Sequence, residues 1–257
     1  MQHDVSMDIT ILLFNEVDLL DAGGPYEVFL TASRLVQREG GEAPFTVNTA
    51  SLDGQPVEAF GGLGLIPDRR IDEVLKQLEN SPESAHVLIV PGTIDIEKAL
   101  TNDKLLEAIR RHASPSATPS GATPDSNATT ASLTDVAAKS ASDPDTRQST
   151  DNASQRIIAS VCTGAFLLAE TGLLSERNWT THWEDVDLLS ERLGPEGAQR
   201  DVRWVDSGSV ITSGGLSAGI DMALHLVHRF AGLDLATRTA KQIDYTWESN
   251  GGRTTKG

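Results

Sequence analysis

Three short, almost wholly apolar runs constrain this chain more than any other feature: Asp8–Phe14 (DITILLF), His86–Val90 (HVLIV) and Arg156–Val161 (RIIASV). Runs this short, rich in β-branched residues and lacking polar alternation, predict strands buried on both faces. Such strands need helices over both sides of the sheet, so they imply an α/β fold with a mostly parallel sheet.

The intervening segments agree. Gly23-Gly24-Pro25 follows the first run, with Pro25 suited to the first turn of a helix through Tyr26, Val28, Phe29, Ala32, Leu35 and Val36. Phe45–Ala50 reads as a strand, and Val57–Ile66 as one or two more, broken by Gly61-Gly62. Helices are expected over Ile71–Leu78 and Ile94–His112, then over Thr163–Thr171, Glu184–Leu193, Ser217–Phe230 and Leu235–Trp247. Trp179–Trp183 reads as a further strand, and Val202–Asp206 with Val210–Thr212 as a hairpin around Ser207-Gly208.

Between these patterned halves the composition changes. Residues 113–155 are mostly Ser, Thr, Ala, Pro and Asp, with no aromatic side chain and only Leu133 and Val136 as large aliphatics, too little apolar surface to offset the entropy of ordering. This stretch reads as a disordered insertion interrupting a single domain over 7–249.

Charge narrows the partners. Lys and Arg number 21 against 37 Asp and Glu, for a formal charge of −16, and six of the cations are lysines. No basic stripe exists to hold phosphates, so nucleic acid and anionic membranes are excluded as partners. Ordinary solubility accounts for such acidity; so does a salt-adapted cytoplasm, toward which scarce lysine leans. No signal peptide or membrane span is present in the pattern, and one cysteine offers no disulfide, so a cytoplasmic location is expected.

Ligands of doubly wound sheets bind beyond the carboxyl ends of the strands. Cys162 lies at that edge, in Ser160-Val161-Cys162-Thr163-Gly164, where a strand turns directly into a helix. This has the form of a nucleophile elbow: the sharp turn lifts the side chain into the cleft, and Gly164 lets the backbones approach. The helix N-terminus is expected to favour the thiolate and to offer N–H groups to developing negative charge. Free cysteines are more often small buried hydrophobes, and only the position at the elbow argues otherwise.

Asp18-Leu19-Leu20-Asp21-Ala22-Gly23-Gly24-Pro25, the Cys162 elbow, Gly172-Leu173-Leu174, Thr180-Thr181-His182-Trp183 and Gly214-Gly215-Leu216-Ser217-Ala218-Gly219-Ile220-Asp221 occur in one order along the chain. Together they resemble the DJ-1/PfpI superfamily, related to the class I glutamine amidotransferases. Within it they are most similar to the isocyanide hydratase branch and to sensor domains of AraC-type regulators. The resemblance implies a flavodoxin-like three-layer sandwich, a homodimer and a small neutral substrate. It implies that Asp21 sits against the thiol as a proton shuttle. Cys162 would attack the terminal carbon of an isocyanide, and water would release an N-substituted formamide. Thr163 would contribute its N–H and hydroxyl, and Gly92 and Thr93 a facing N–H beside Gly164.

Several features argue against neighbouring activities. Thr163 replaces the His common after the cysteine in PfpI proteases. His182-Trp183-Glu184 has the His-x-Glu form of an amidotransferase triad but follows Cys162 too closely, so His182 reads as a residue lining the site. His225 and His228 share a helix face without a third ligand, so no metal is expected. Gly61-Gly62-Leu63-Gly64 lacks the spacing of a phosphate loop, and no cofactor is expected. Trp179, Trp183, Trp204 and Trp247 read as core or dimer contacts. The alternative to an enzyme is a small-molecule or redox stress sensor using Cys162. The sequence runs about ten residues past Trp247, so no DNA-binding part is expected.

Overall fold

The computed structural model describes residues 6–114 and 156–255. The apolar runs form β1 (Met7–Leu13), β6 (His86–Val90) and β7 (Arg156–Val161), all buried nearly end to end. Fully burying an Ile, Leu or Val contributes about 1.5–3 kcal/mol, and Ile9, Ile11, Leu12, Leu88 and Ile89 are all sealed from solvent.

In chain order the other elements are α1 (Leu19–Arg38), β2 (Phe45–Ser51), β3 (Val57–Glu58), β4 (Gly64–Leu65), β5 (Arg69–Arg70), α2 (Ile71–Asn80), α3 (Ile96–Leu100) and α4 (Asp103–Ala113). After β7 come α5 (Gly164–Glu170), α6 (Val186–Leu193), β8 (Trp204–Asp206), β9 (Val210–Ser213), α7 (Ala218–Ala231), α8 (Leu233–Gln242) and β10 (Arg253–Thr254).

Among the described residues, one sheet of eight strands runs β10-β8-β9-β7-β6-β1-β2-β5. All its pairs are parallel except β8 with β9, the expected hairpin. The first crossover, β1 to β2, moves outward in one direction, whereas β2 to β6 to β7 moves back in the other. Right-handed crossovers therefore put α1 on one face and α2 to α6 on the opposite face. Packing agrees: α1, α7 and α8 pack on one another, and α2, α3, α4, α5 and α6 form the second group. The result is the expected flavodoxin-like sandwich.

Several elements differ from the sequence reading. Helix α1 begins at Leu19, because the Asp18 carboxylate accepts the Leu20 N–H at 3.0 Å and caps it. Pro25 therefore sits inside the helix rather than at its start. The expected helix Ile94–His112 is two, since Asn102 accepts the Leu105 N–H and starts a second one. Trp179–Trp183 forms no strand of the sheet. Trp179 makes one bridge to Ala198, the Thr180 N–H goes to the Thr212 hydroxyl at 2.9 Å, and Trp183–Asp185 is a 3₁₀ turn. Helix α8 stops at Gln242, where a left-handed Asp244 turns the chain back toward the sheet. Strands β3 and β4 pair only with each other, as a small hairpin. Of the segment 113–155, Ala113 ends α4 and Ser114 caps it; the remainder lies outside the described residues.

Parallel register aligns the carboxyl ends of the central strands. Val90 pairs with Ser160 and Val161 with Ser213. The turns that follow β6, β7 and β9 therefore open onto one edge.

Candidate active site

Cys162 stands at that edge with φ +56°, a left-handed conformation in a residue other than glycine. Such a conformation costs about 1–2 kcal/mol, and here the surroundings enforce it. The Cys162 N–H is shared by the Ser213 and Gly214 carbonyls at 3.2 and 3.1 Å, and its own carbonyl accepts the Thr181 hydroxyl at 2.8 Å. Two residues on, Gly164 lies against the preceding turn: a Cβ there would stand 2.3 Å from the Val90 carbonyl oxygen. Gly164→Ala should therefore destabilise the fold by about 3 kcal/mol in denaturant unfolding; a variant as stable as the parent would show that the turn yields.

Asp21 is brought to the thiol from the first turn of α1 and is wholly buried. Its carboxylate accepts the Gly92 N–H and the Leu216 N–H, each at 3.0 Å, and the Cys162 thiol. Burial, then the charge of Asp18, push its carboxyl up to about 7; the three donors pull the other way.

The thiol does not behave as a helix N-terminus alone would dictate. Burial and the adjacent Asp21 push it up, with Asp18 and Asp185 adding to the effect, while the Thr163 N–H opposes them. Desolvation and carboxylate charge outweigh the helix end, so at neutral pH the proton rests on sulfur. Cys162 and Asp21 thus share one negative charge, and moving it to sulfur means handing the thiol proton to Asp21.

The other expected residues are also gathered here. Thr163 is buried; its hydroxyl accepts the Thr93 N–H at 2.8 Å and donates to the Thr93 carbonyl at 2.7 Å. Gly92 lies between Asp21 and Thr163: an added Cβ would fall 2.7 Å from Oδ2 of the one and 2.6 Å from the hydroxyl of the other. The three amides expected to receive negative charge are therefore engaged, Gly92 by Asp21, Thr93 by Thr163 and Thr163 by the sulfur. His182 rests its ring against Gly215, with Nδ1 3.5 Å from Asp185 Oδ2 and 3.7 Å from Glu184 Oε2. No hydrogen bond joins it to Cys162 among the described residues.

Other groups had no role assigned from sequence. Thr181 holds the elbow carbonyl and Leu216 holds Asp21 through its backbone. Asp18 and Asp185 shape the field. Leu216 is left-handed as well, at φ +54°, a conformation that no residue type at that position announces. Leu19, Leu20, Ile94 and Trp183 are exposed on the segments that carry Asp21, Thr93 and His182, and Leu216 on the loop between β9 and α7, with Trp183 75% accessible.

The remaining sequence candidates are structural. His225 Nε2 lies 2.8 Å from the buried Asp206, which Arg229 also holds, and its ring stacks on Trp204. His228 meets Trp247 edge to face. Among the described residues no group of three or more His, Cys, Asp or Glu could hold a metal ion. Trp179 and Trp204 are core residues and Trp247 packs against the core; Trp183 does not. Among the described residues no helix is long and apolar enough to cross a membrane.

Comparison with known proteins places this geometry among relatives. A family model described as the DJ-1/PfpI family matches residues 147–229. The chain is 27% identical over 241 residues to the isonitrile hydratase of Pseudomonas putida, covering 94% of this chain and 79% of that one. It is 26% identical over 246 residues to the HTH-type transcriptional regulator GbdR of Pseudomonas aeruginosa, covering 95% of this chain and 52% of the regulator. The chain thus spans about half of that regulator's length. A crystal structure of a THiJ/PfpI family protein from Pseudomonas syringae superposes with a TM-score of 0.64 at 20% identity, over 95% of this chain and 76% of that one, a likeness of fold.

Proposed function

We propose that the chain, which matches the DJ-1/PfpI family model over residues 147–229, is a member of that superfamily and a cysteine-dependent hydratase converting a small, neutral isocyanide to an N-substituted formamide. The observation that carries this reading is the wholly buried Asp21 carboxyl beside the Cys162 thiol, held by the Gly92 and Leu216 N–H groups and raised by burial to about 7. A carboxyl poised near neutrality can take the thiol proton and return it within one turnover.

The steps balance. Sulfur bonds to the terminal carbon of R–N≡C while the thiol proton passes through Asp21 onto that carbon, leaving a thioimidate, R–N=CH–S–Cys162. Water adds to the same carbon with Asp21 as base; one water proton goes to nitrogen. The C–S bond then breaks, the second proton returns to sulfur, and R–NH–CHO leaves.

The field favours this chemistry over acyl transfer. The charges acting on the thiol belong to Asp21, Asp18 and Asp185, all negative, and the nearby amides are already engaged. A tetrahedral oxyanion would form against that field, whereas a neutral thioimidate, or its protonated form, would not. Thr163 would hold the Thr93 turn in place, and His182 would line the site. The deciding assay offers isocyanides, methylglyoxal, glutamine and peptides in parallel, following formamide by NMR. Formamide from isocyanides alone is expected; turnover of another class and none of isocyanide would overturn the reading. A sensor of a small molecule is the second reading, favoured by the match to the regulator. It predicts saturable binding at the thiol with no turnover of any compound in the panel.

We further propose that residues 7–249 act as one domain, interrupted by 113–155, in a cytoplasmic homodimer. Exposed Leu19, Leu20, Ile94, Trp183 and Leu216, together with exposed Phe60 and Leu63 in the β3–β4 turn and Ile66 just after β4, support a second copy covering these side chains. The acidity supports salt adaptation, so the melting temperature should rise between dilute buffer and molar potassium chloride. No rise would remove that reading.

A further inference from the structure

The loop that grips both halves of the Cys162–Asp21 pair is itself gripped from outside the site. Ser213 and Gly214 hold the Cys162 N–H through their carbonyls, and Leu216 holds Asp21 through its N–H. Arg203, between α6 and β8, spans this loop. Its carbonyl accepts the Gly214 N–H at 3.0 Å, and its guanidinium reaches the Ser217 hydroxyl at 2.9 Å and Asp221 Oδ2 at 2.7 Å. The buried Asp221, on the first turn of α7, also accepts the Tyr245 hydroxyl at 2.8 Å. Tyr245 comes from the chain that turns back after α8, and the Arg203 N–H is bonded to the Gly251 carbonyl at 2.8 Å.

Two left-handed residues therefore meet at this loop: Cys162, whose N–H it holds, and Leu216, which lies within it. Backbone in such conformations persists only where its surroundings over-determine it, and here Arg203, Asp221, Ser217 and Tyr245 do so.

We propose that Arg203, Asp221 and Tyr245 are positioning residues, clamping the loop 213–217 so that the Leu216 N–H stays on Asp21 and sets the proton balance of the Cys162–Asp21 pair. The clamp lies outside the reacting atoms and acts through Leu216. It rests on the pair itself, whatever molecule the pair attacks. Loosening it withdraws a donor that favours the ionised carboxylate, so the carboxyl titrates at higher pH and the thiolate tautomer of the pair gains share.

The test follows iodoacetamide alkylation of Cys162 against pH, which needs no substrate. Tyr245→Phe removes one hydroxyl from a half-buried ring and Ser217→Ala one partner of Arg203. Each is expected to raise, by about half to one pH unit, the midpoint of the step in alkylation rate that follows ionisation of Asp21, within the strength of one charge-assisted hydrogen bond. Thr255→Ala, which loosens the C-terminal segment at Ser207 instead, should leave the midpoint alone, and Arg203→Lys should restore less than the full clamp because it lacks the planar fork. Lowered melting temperature with an unmoved midpoint in both Tyr245→Phe and Ser217→Ala would overturn the proposal and reduce the network to a structural latch. Failure of isocyanide turnover would leave these shifts intact, so the two readings fail separately.

Discussion

Cys162→Ser and Cys162→Ala should lose isocyanide hydration by at least about 10⁴-fold, as deletions of a covalent nucleophile do. The serine variant is the sharper one. Its hydroxyl fits the same elbow but is far less acidic than a thiol, so Asp21 cannot draw off its proton and no covalent intermediate forms. Both variants should fold, because neither change adds volume where Thr181, Ser213 and Gly214 hold the backbone. A third substitution separates stability from activity. Cys162→Gly relieves the left-handed strain and should be about 1 kcal/mol more stable than Cys162→Ala while equally inactive. Purified Cys162→Ala that still made formamide at the parent rate would end the covalent mechanism.

That the elbow was legible in the sequence follows from how few ways a buried parallel strand can end. RIIASV must stop at the sheet edge, and the small residues after it must turn into a helix. The same logic exposed the β8–β9 hairpin and the buried trio of central strands. It failed where side chains override local pattern. Asp18 moves the start of α1 ahead of Gly23-Gly24-Pro25, and Asn102 splits one apolar periodicity into two helices. Trp179–Trp183 has strand-like composition, yet its amides turn to a side chain and to a loop rather than to a neighbouring strand. In the site, the gathering of Asp21, Gly92, Thr93 and Thr163 around Cys162 needed only strand order. Their electrical consequence did not follow from it. Whether a thiol at a helix end is acidic depends on how many carboxylates are buried beside it, and Asp185 reaches Cys162 only through tertiary folding.

Asp21→Asn tests that electrical reading most directly, because it should move three observables in different directions. Hydration should fall by about 10²- to 10⁴-fold, the usual worth of a positioned proton carrier. Alkylation of Cys162 at neutral pH should nevertheless become faster, since the substitution removes the adjacent charge that pushes the thiol up. Stability supplies the third. The carboxyl of Asp21 is raised from an ordinary 3.8 to about 7 in the folded protein. A raised group contributes its stability fully below the unfolded value and loses it as the pH climbs through the folded value. The parent protein should therefore lose stability relative to Asp21→Asn between about pH 4 and pH 7, by up to about 4 kcal/mol, whatever offset the lost Gly92 or Leu216 hydrogen bond adds at every pH. Unfolding in urea at pH 4.5 and pH 7.5 for both proteins isolates this difference. A gap between the two proteins that did not change with pH would mean that Asp21 is ionised throughout, and the carboxyl could not then return a proton to carbon.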